Sequence, residues 1–131
     1  MSTPDDPSGP AVTGHRPQPV GPYSPVVRAG DWLICSGQIG LREGALVEGG
    51  VSVQVAQAVA NIAALLAGEG AALDSVVKTT VFLADIGDYQ AMNDAYIRAF
   101  SDHRPARSAF AVAALPMGAA VEIEAWAYLG R

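Results

Sequence analysis

A chain of 131 residues, half of them hydrophobic, can build one domain with a proper core and is not disordered by composition. The formal net charge of -5, with 8 Lys and Arg against 13 Asp and Glu, argues against a nucleic-acid surface, which needs clustered cations to displace counterions. The single cysteine, Cys35, excludes an intrachain disulfide. No apolar run is long enough to span a membrane, and Asp5 and Asp6 interrupt any secretory signal, so the expected location is the cytoplasm.

Residues 1–20, rich in Pro, Gly, Ser and Thr, read as a flexible tail, and one domain is expected over residues 21–131. It opens on the rigid turn Gly21-Pro22-Tyr23-Ser24-Pro25. Two strands, 26–28 and 32–36, are expected around the hairpin signal Ala29-Gly30-Asp31. A glycine-punctuated loop then runs from Gly37 to Gly50. From Val51 the apolar residues recur at Val55, Val59, Ile62, Leu65 and Leu66, which is helical spacing, and Gly68 or Gly70 ends that helix. The β-branched run 76–83 predicts a strand. Asp85 or Asp88 can cap a second helix, with Tyr89, Met92, Tyr96 and Phe100 on one face. Strands over 108–113 and 121–129 follow, on either side of a Pro116-Met117-Gly118 turn.

The order is ββαβαββ, an α+β fold with two helices on one face of a sheet. In the last strand Val121, Ile123, Ala125, Ala127 and Leu129 point one way. Glu122, Glu124, Trp126 and Tyr128 point the other. Both faces carry large apolar groups, so two helices leave one face uncovered and self-association is expected.

Arg107 and Glu122 are the leading candidates for chemistry. Both stand in stretches that otherwise read as buried strand, and a desolvated lone charge is expensive. Two readings are open. Arg107 forms an internal ion pair with Glu122 or Glu124, or its planar guanidinium grips a ligand carboxylate in bidentate fashion. Glu122 suits general acid/base work or orientation of a water. Glu124 shares its face, so one of the two carboxylates could carry a raised pKa, whereas strand ends in solvent would give no such effect. Tyr23 is a phenol aimed by a rigid turn, or a tyrosine packed at a strand start. Ser36 and Gly37 end a strand where a ligand could approach backbone, or form a plain turn. Asn93 lies beside the apolar stripe of the second helix, where an exposed asparagine is the bland alternative. His15 and His103 show no metal-ligand spacing, and Cys35 has no base beside it in sequence.

Gly21-Pro22-Tyr23-Ser24, Cys35-Ser36-Gly37-Gln38-Ile39, Val77-Lys78-Thr79-Thr80-Val81-Phe82, Met92-Asn93-Asp94-Ala95-Tyr96 and Pro105-Ala106-Arg107-Ser108 with Val121-Glu122-Ile123-Glu124-Ala125 resemble the RidA (YjgF) family of imine deaminases. The resemblance implies a chorismate-mutase-like fold and a homotrimer with sites between subunits. It implies cofactor-free hydrolysis of small 2-imino or enamine acids to 2-keto acids and ammonia. Charge, residue spacing and hydropathy, rather than the resemblance, argue against a nucleic-acid, metal or membrane partner. Arg107 would hold the substrate carboxylate and Glu122 would serve the water and proton transfer. Tyr23 would reach in from across the interface, and Ser36, Gly37, Asn93 and Ala109 would line the pocket. Two features depart from the family pattern. Ala109 stands where typical members carry a cysteine, and the segment before Arg107 is short, with Arg104 at the rim. They keep two alternatives in view: a pathway-specific imine as substrate, and a carboxylate-binding module without turnover. A ribonuclease, an activity attached to some family members, is opposed by the acidic composition and the lack of a His pair or metal cluster, and a chaperone-like protein exposing apolar surface would need no intact Arg107.

Overall fold

The computed structural model describes residue 19 and residues 21–130. The expected tail, residue 19 apart, therefore lies outside the described residues. The chain first folds on itself at Gly30, whose φ of +60° closes a hairpin between β1 (Val26–Ala29) and β2 (Trp32–Gln38). Strand β2 runs two residues further than expected, through Gly37 and Gln38, with a register shift against the last strand between Cys35 and Gln38. The expected loop also contains a small hairpin, β3 (Leu41–Arg42) with β4 (Ala45–Leu46). Two-residue strands are too short to show a period in sequence. The Asn61 side-chain amide holds this segment, donating to the carbonyls of Ile39 at 3.2 Å and Leu41 at 3.0 Å.

Helix α1 (Val51–Ala67) follows the apolar spacing closely: Val55, Ile62, Leu65 and Leu66 are fully buried and Val59 nearly so. It ends at Gly68, and Ala71 N–H reaches back to the Leu66 carbonyl at 2.8 Å. Strand β5 (Val76–Leu83) lies where its β-branched run predicted. Asp85 caps a short 3-10 turn by accepting from Gly87 N–H at 2.8 Å, and α2 (Tyr89–Phe100) begins just after it. Asp88, at the helix start, makes no capping bond through its side chain. Strand β6 (Ala106–Ala111) starts two residues earlier than expected, so Arg107 lies inside the strand. Strand β7 (Val121–Tyr128) closes the sheet.

The sheet order is β1-β2-β7-β5-β6, with β5 and β6 parallel and every other pair antiparallel. Helix α2 makes the parallel crossover from β5 to edge strand β6. Both helices cover one face. Leu33, Val81, Leu83, Val121, Ile123, Ala125 and Ala127 are fully buried there against α1 and α2.

Among the described residues, the opposite face has no such cover. The register places Val27, Ile34 and Trp126 side by side, then Trp32 with Tyr128, and Phe82 with Phe110. Trp32 packs edge-on to Trp126, with centroids 5.8 Å apart, and lies 4.8 Å from the Tyr128 ring. Val27, Phe110, Trp126 and Tyr128 each remain 40–48% exposed. The alternation of β7 therefore has the meaning its sequence suggested: one face is core and the other is apolar and open.

Candidate functional site

Arg107 sits in edge strand β6, directly opposite Thr79 of β5. Thr79 is fully buried, and its hydroxyl shares a 2.6 Å hydrogen bond with the Tyr96 phenol of α2. Arg107 thus shares the helix-covered face. Its guanidinium carbon lies 4.9 Å from the Tyr96 ring centroid and 5.7 Å from that of Tyr89. Nη2 donates to the Tyr89 hydroxyl at 3.2 Å, and Nη1 points at the Met92 sulfur at 3.6 Å. Tyr89, Met92 and Tyr96 are spaced i, i+3, i+7, so a single stripe of α2 builds the cradle. Among the described residues, no carboxylate pairs with this half-buried cation. Burial raises the Tyr96 phenol pKa, while its bond to Thr79 and the charges of Arg107 and Arg104 pull it back in part.

Asn93 occupies the same stretch of α2. Its Oδ1 is buried and has no hydrogen-bond partner, so the exposed-asparagine reading does not hold. Ala109 follows Arg107 by one strand period, opposite buried Val81.

Glu122 belongs to a different place. In β7 it pairs with Phe82, and the register puts both on the open face, as it does Glu124 with Thr80. Its carboxylate lies directly over Gly37: a Cβ on that glycine would stand 2.0 Å from Oε2. Gly37 is needed here because the acid occupies the space of a side chain. Half-burial pushes the Glu122 pKa up, and the nearby Glu124 charge adds to the effect. Ser36 adjoins this glycine, and its Oγ donates to the Ser24 carbonyl at 2.7 Å. Ser36 N–H also donates to the Pro25 carbonyl at 2.9 Å, which ties the Tyr23-containing turn to the end of β2. Tyr23 itself is 43% exposed.

The structure therefore brings Glu122, Gly37, Ser36 and the Tyr23 turn into one group, and Arg107, Asn93 and Ala109 into another. Arg107 and Glu122 are two strands apart. Arg107 is in register with Ala125 through Thr79, three residues along β7 from Glu122. At ~4.8 Å per strand and ~3.3 Å per residue their Cα atoms are separated by ~14 Å, with the side chains on opposite faces. An ion pair of Arg107 with Glu122 or Glu124 within one protomer is excluded, which corrects one of the two sequence readings. Sequence alone hid this because Arg107 and Glu122 belong to strands whose relative register depends on the intervening β5.

Two other groups have settled roles. Burial, with the Glu69 charge as a lesser cause, pushes the Cys35 thiol up to about 12, so it stays protonated. His103 Nε2 lies 2.6 Å from the Val76 carbonyl and ties the end of α2 to the start of β5. No cluster of three or more His, Cys, Asp or Glu suited to a metal occurs among the described residues. Tyr89 and Thr79 were not singled out from sequence as site residues. The i, i+7 recurrence of Tyr89 and Tyr96 ahead of the arginine was the signal available for Tyr89; nothing local to Thr79 marked it.

A family model described as Endoribonuclease L-PSP matches residues 13–129. A goat (Capra hircus) protein named 2-iminobutanoate/2-iminopropanoate deaminase is 46% identical over 120 residues, covering 90% of this chain and 88% of its own. A RutC family protein of Pyrococcus horikoshii is 41% identical over 118 residues, covering 88% and 94%. The crystal structure of RidA from the Antarctic bacterium Psychrobacter sp. PAMC 21119 superposes with a TM-score of 0.82 at 39% identity, covering 86% of this chain and 93% of that one.

Proposed function

Because the chain belongs to the endoribonuclease L-PSP family, to which the RidA (YjgF) proteins belong, we propose that it is a hydrolytic deaminase of small 2-imino acids and their enamine tautomers. The observation that carries this reading is Arg107: a half-buried guanidinium held by two tyrosines and a thioether, with no carboxylate of its own among the described residues. Such a cation is a receptor for an anion supplied from outside, and its planar fork suits a carboxylate.

The catalytic carboxylate, Glu122, must come from another copy of the chain, since within one protomer it faces away. The open apolar face supports self-association, and the resemblance to the RidA proteins makes the assembly a homotrimer in which the Arg107 group of one subunit meets the Glu122 group of its neighbour, with Tyr23, Ser36 and Gly37 beside it. With the substrate carboxylate on Arg107, Glu122 takes a proton from water as the oxygen attacks the C=N carbon. The C–O bond forms and the C=N electron pair goes to nitrogen, which takes that proton from Glu122 to give the carbinolamine. Glu122 then takes the carbinol hydroxyl proton and passes it to the amine as the C=O bond forms and the C–N bond breaks, leaving a 2-keto acid and ammonia. A carboxylate with a raised pKa suits this traffic, because it holds a proton more readily near neutral pH. The steps balance with water as the only co-reactant, so no cofactor is assigned.

The ribonuclease in the family's description is not carried over. The net charge is -5, and basic side chains do not dominate either group of site residues. No helix among the described residues is long and apolar enough to cross a membrane.

The test is turnover of freshly generated 2-iminopropanoate and 2-iminobutanoate by the wild type, Arg107→Lys and Arg107→Ala. Losing a charged contact in a desolvated site should cost ~3 kcal/mol, about 100-fold in rate. Arg107→Lys should fail nearly as badly, for want of bidentate geometry. Full turnover by folded Arg107→Ala would end the proposal. Binding of 2-oxobutanoate without any turnover by the wild type would instead identify a carboxylate-binding module.

A further inference from the structure

Stacking fixes a guanidinium against a ring but leaves it free to turn within its own plane, because the cation–π attraction has little in-plane direction. A bidentate grip on a carboxylate needs that rotation fixed. In this chain the Tyr96 ring fixes the plane: it lies 4.9 Å from the Arg107 Cζ and is itself locked by the 2.6 Å bond to Thr79. Met92 Sδ, 3.6 Å from Nη1, is a weak acceptor and orients little. The remaining contact is the Tyr89 hydroxyl, 3.2 Å from Nη2, and it is the strong acceptor among the Arg107 partners described.

Tyr89 is poorly placed to serve the core. It is the first residue of α2 and is 40% exposed, whereas the neighbouring stripe residues Met92 and Tyr96 are buried. A tyrosine at this position contributes little packing that phenylalanine would not. What the phenol adds is an oxygen placed on one arm of the arginine.

We propose that Tyr89 is a positioning residue whose hydroxyl sets the in-plane orientation of the Arg107 guanidinium and so governs affinity for the substrate carboxylate. This rests on the reading of Arg107 as the carboxylate grip. Tyr89 acts before the chemistry: it readies the grip in the free protein, and its effect belongs to binding rather than to the reacting C=N bond.

Tyr89→Phe tests this, since it keeps the ring and the helix start and removes only the oxygen. Affinity for 2-oxobutanoate, measured by calorimetry on the full chain, should weaken about tenfold, as expected for a lost bond to a charged group. KM for 2-iminobutanoate should rise by the same factor, with kcat within about twofold. In an Arg107→Ala background, Tyr89→Phe should change neither quantity. Unaltered affinity in Tyr89→Phe, alongside lost affinity in Arg107→Ala, overturns the positioning role and leaves the carboxylate grip standing. Equal weakening in both backgrounds, or a lowered melting temperature with unchanged affinity, also overturns it. If Arg107→Ala binds 2-oxobutanoate like the wild type, the grip itself is wrong and the role of Tyr89 falls with it.

Discussion

Gly37→Ala should disable the protein through Glu122 rather than through the backbone. The φ of Gly37 is not in the positive range that only glycine tolerates, so alanine can adopt the backbone conformation. The obstacle is the carboxylate. A Cβ at Gly37 would stand 2.0 Å from Glu122 Oε2, 2.8 Å from Cδ and 3.0 Å from Cγ. Non-bonded carbon contacts settle at roughly 3.5 Å, so the carboxyl group must swing away by at least ~1 Å. Glutamate is flexible enough to do so for about 1 kcal/mol, near the low end of overpacking penalties. That corresponds to about 4 °C in melting temperature for a domain of this size. The catalytic loss should be far larger, since ~1 Å of misplacement costs on the order of 100-fold in rate. The assay is imine turnover and thermal melting of Gly37→Ala in two backgrounds, wild type and Glu122→Ala. Removing the carboxylate removes the clash, so Gly37→Ala should be thermally near neutral in the second background. An equal loss of stability in both would show that Gly37 is needed for backbone reasons, and unimpaired turnover in the single variant would refute the placement of Glu122.

The pH dependence follows from the raised Glu122 pKa, caused first by burial and then by Glu124. Glu124→Gln removes the second cause and should move the acidic limb of the turnover profile to lower pH. The sign for stability is opposite to that of a salt-bridged acid: the folded state binds the proton more tightly than the unfolded one, so ionising Glu122 destabilises the fold as pH rises through this window, and Glu122→Gln should melt higher than wild type at neutral pH but not at strongly acidic pH. Cys35, with its pKa pushed up to about 12, should resist iodoacetamide at pH 8 in the native protein and react once the chain is unfolded in urea. Tyr96→Phe should lower stability by roughly 1–3 kcal/mol in a chemical-denaturation curve, because it strands the fully buried Thr79 hydroxyl.

The legible parts of this fold are those with a long period. The α1 stripe from Val55 to Leu66 and the two-sided alternation of β7 came through because each repeats over many residues and each matches the burial found. The β3–β4 hairpin did not, being two residues a side. The bulge in β2 and the early start of β6 at Ala106 were equally hidden, since both are set by pairing with strands distant in sequence. The candidate residues were legible as residue types, a charge in an apolar strand being visible in any sequence. Their grouping was not. Whether Arg107 meets Glu122 depends on β5 lying between β6 and β7, and no local pattern around either residue encodes that order.

The most direct test of an active site shared between subunits is complementation. Arg107→Ala and Glu122→Gln proteins, each inactive alone, would be unfolded together in equal amounts and refolded as a mixture, and turnover of 2-iminobutanoate measured per subunit. Sites that draw the arginine and the glutamate from different chains pick each independently from a half-and-half pool, so about one quarter are intact, and about a quarter of wild-type activity should return. If both residues of a site came from the same chain, no mixing could restore it, and a mixture as inactive as its components would contradict the placement of Arg107 and Glu122 on opposite faces of the sheet.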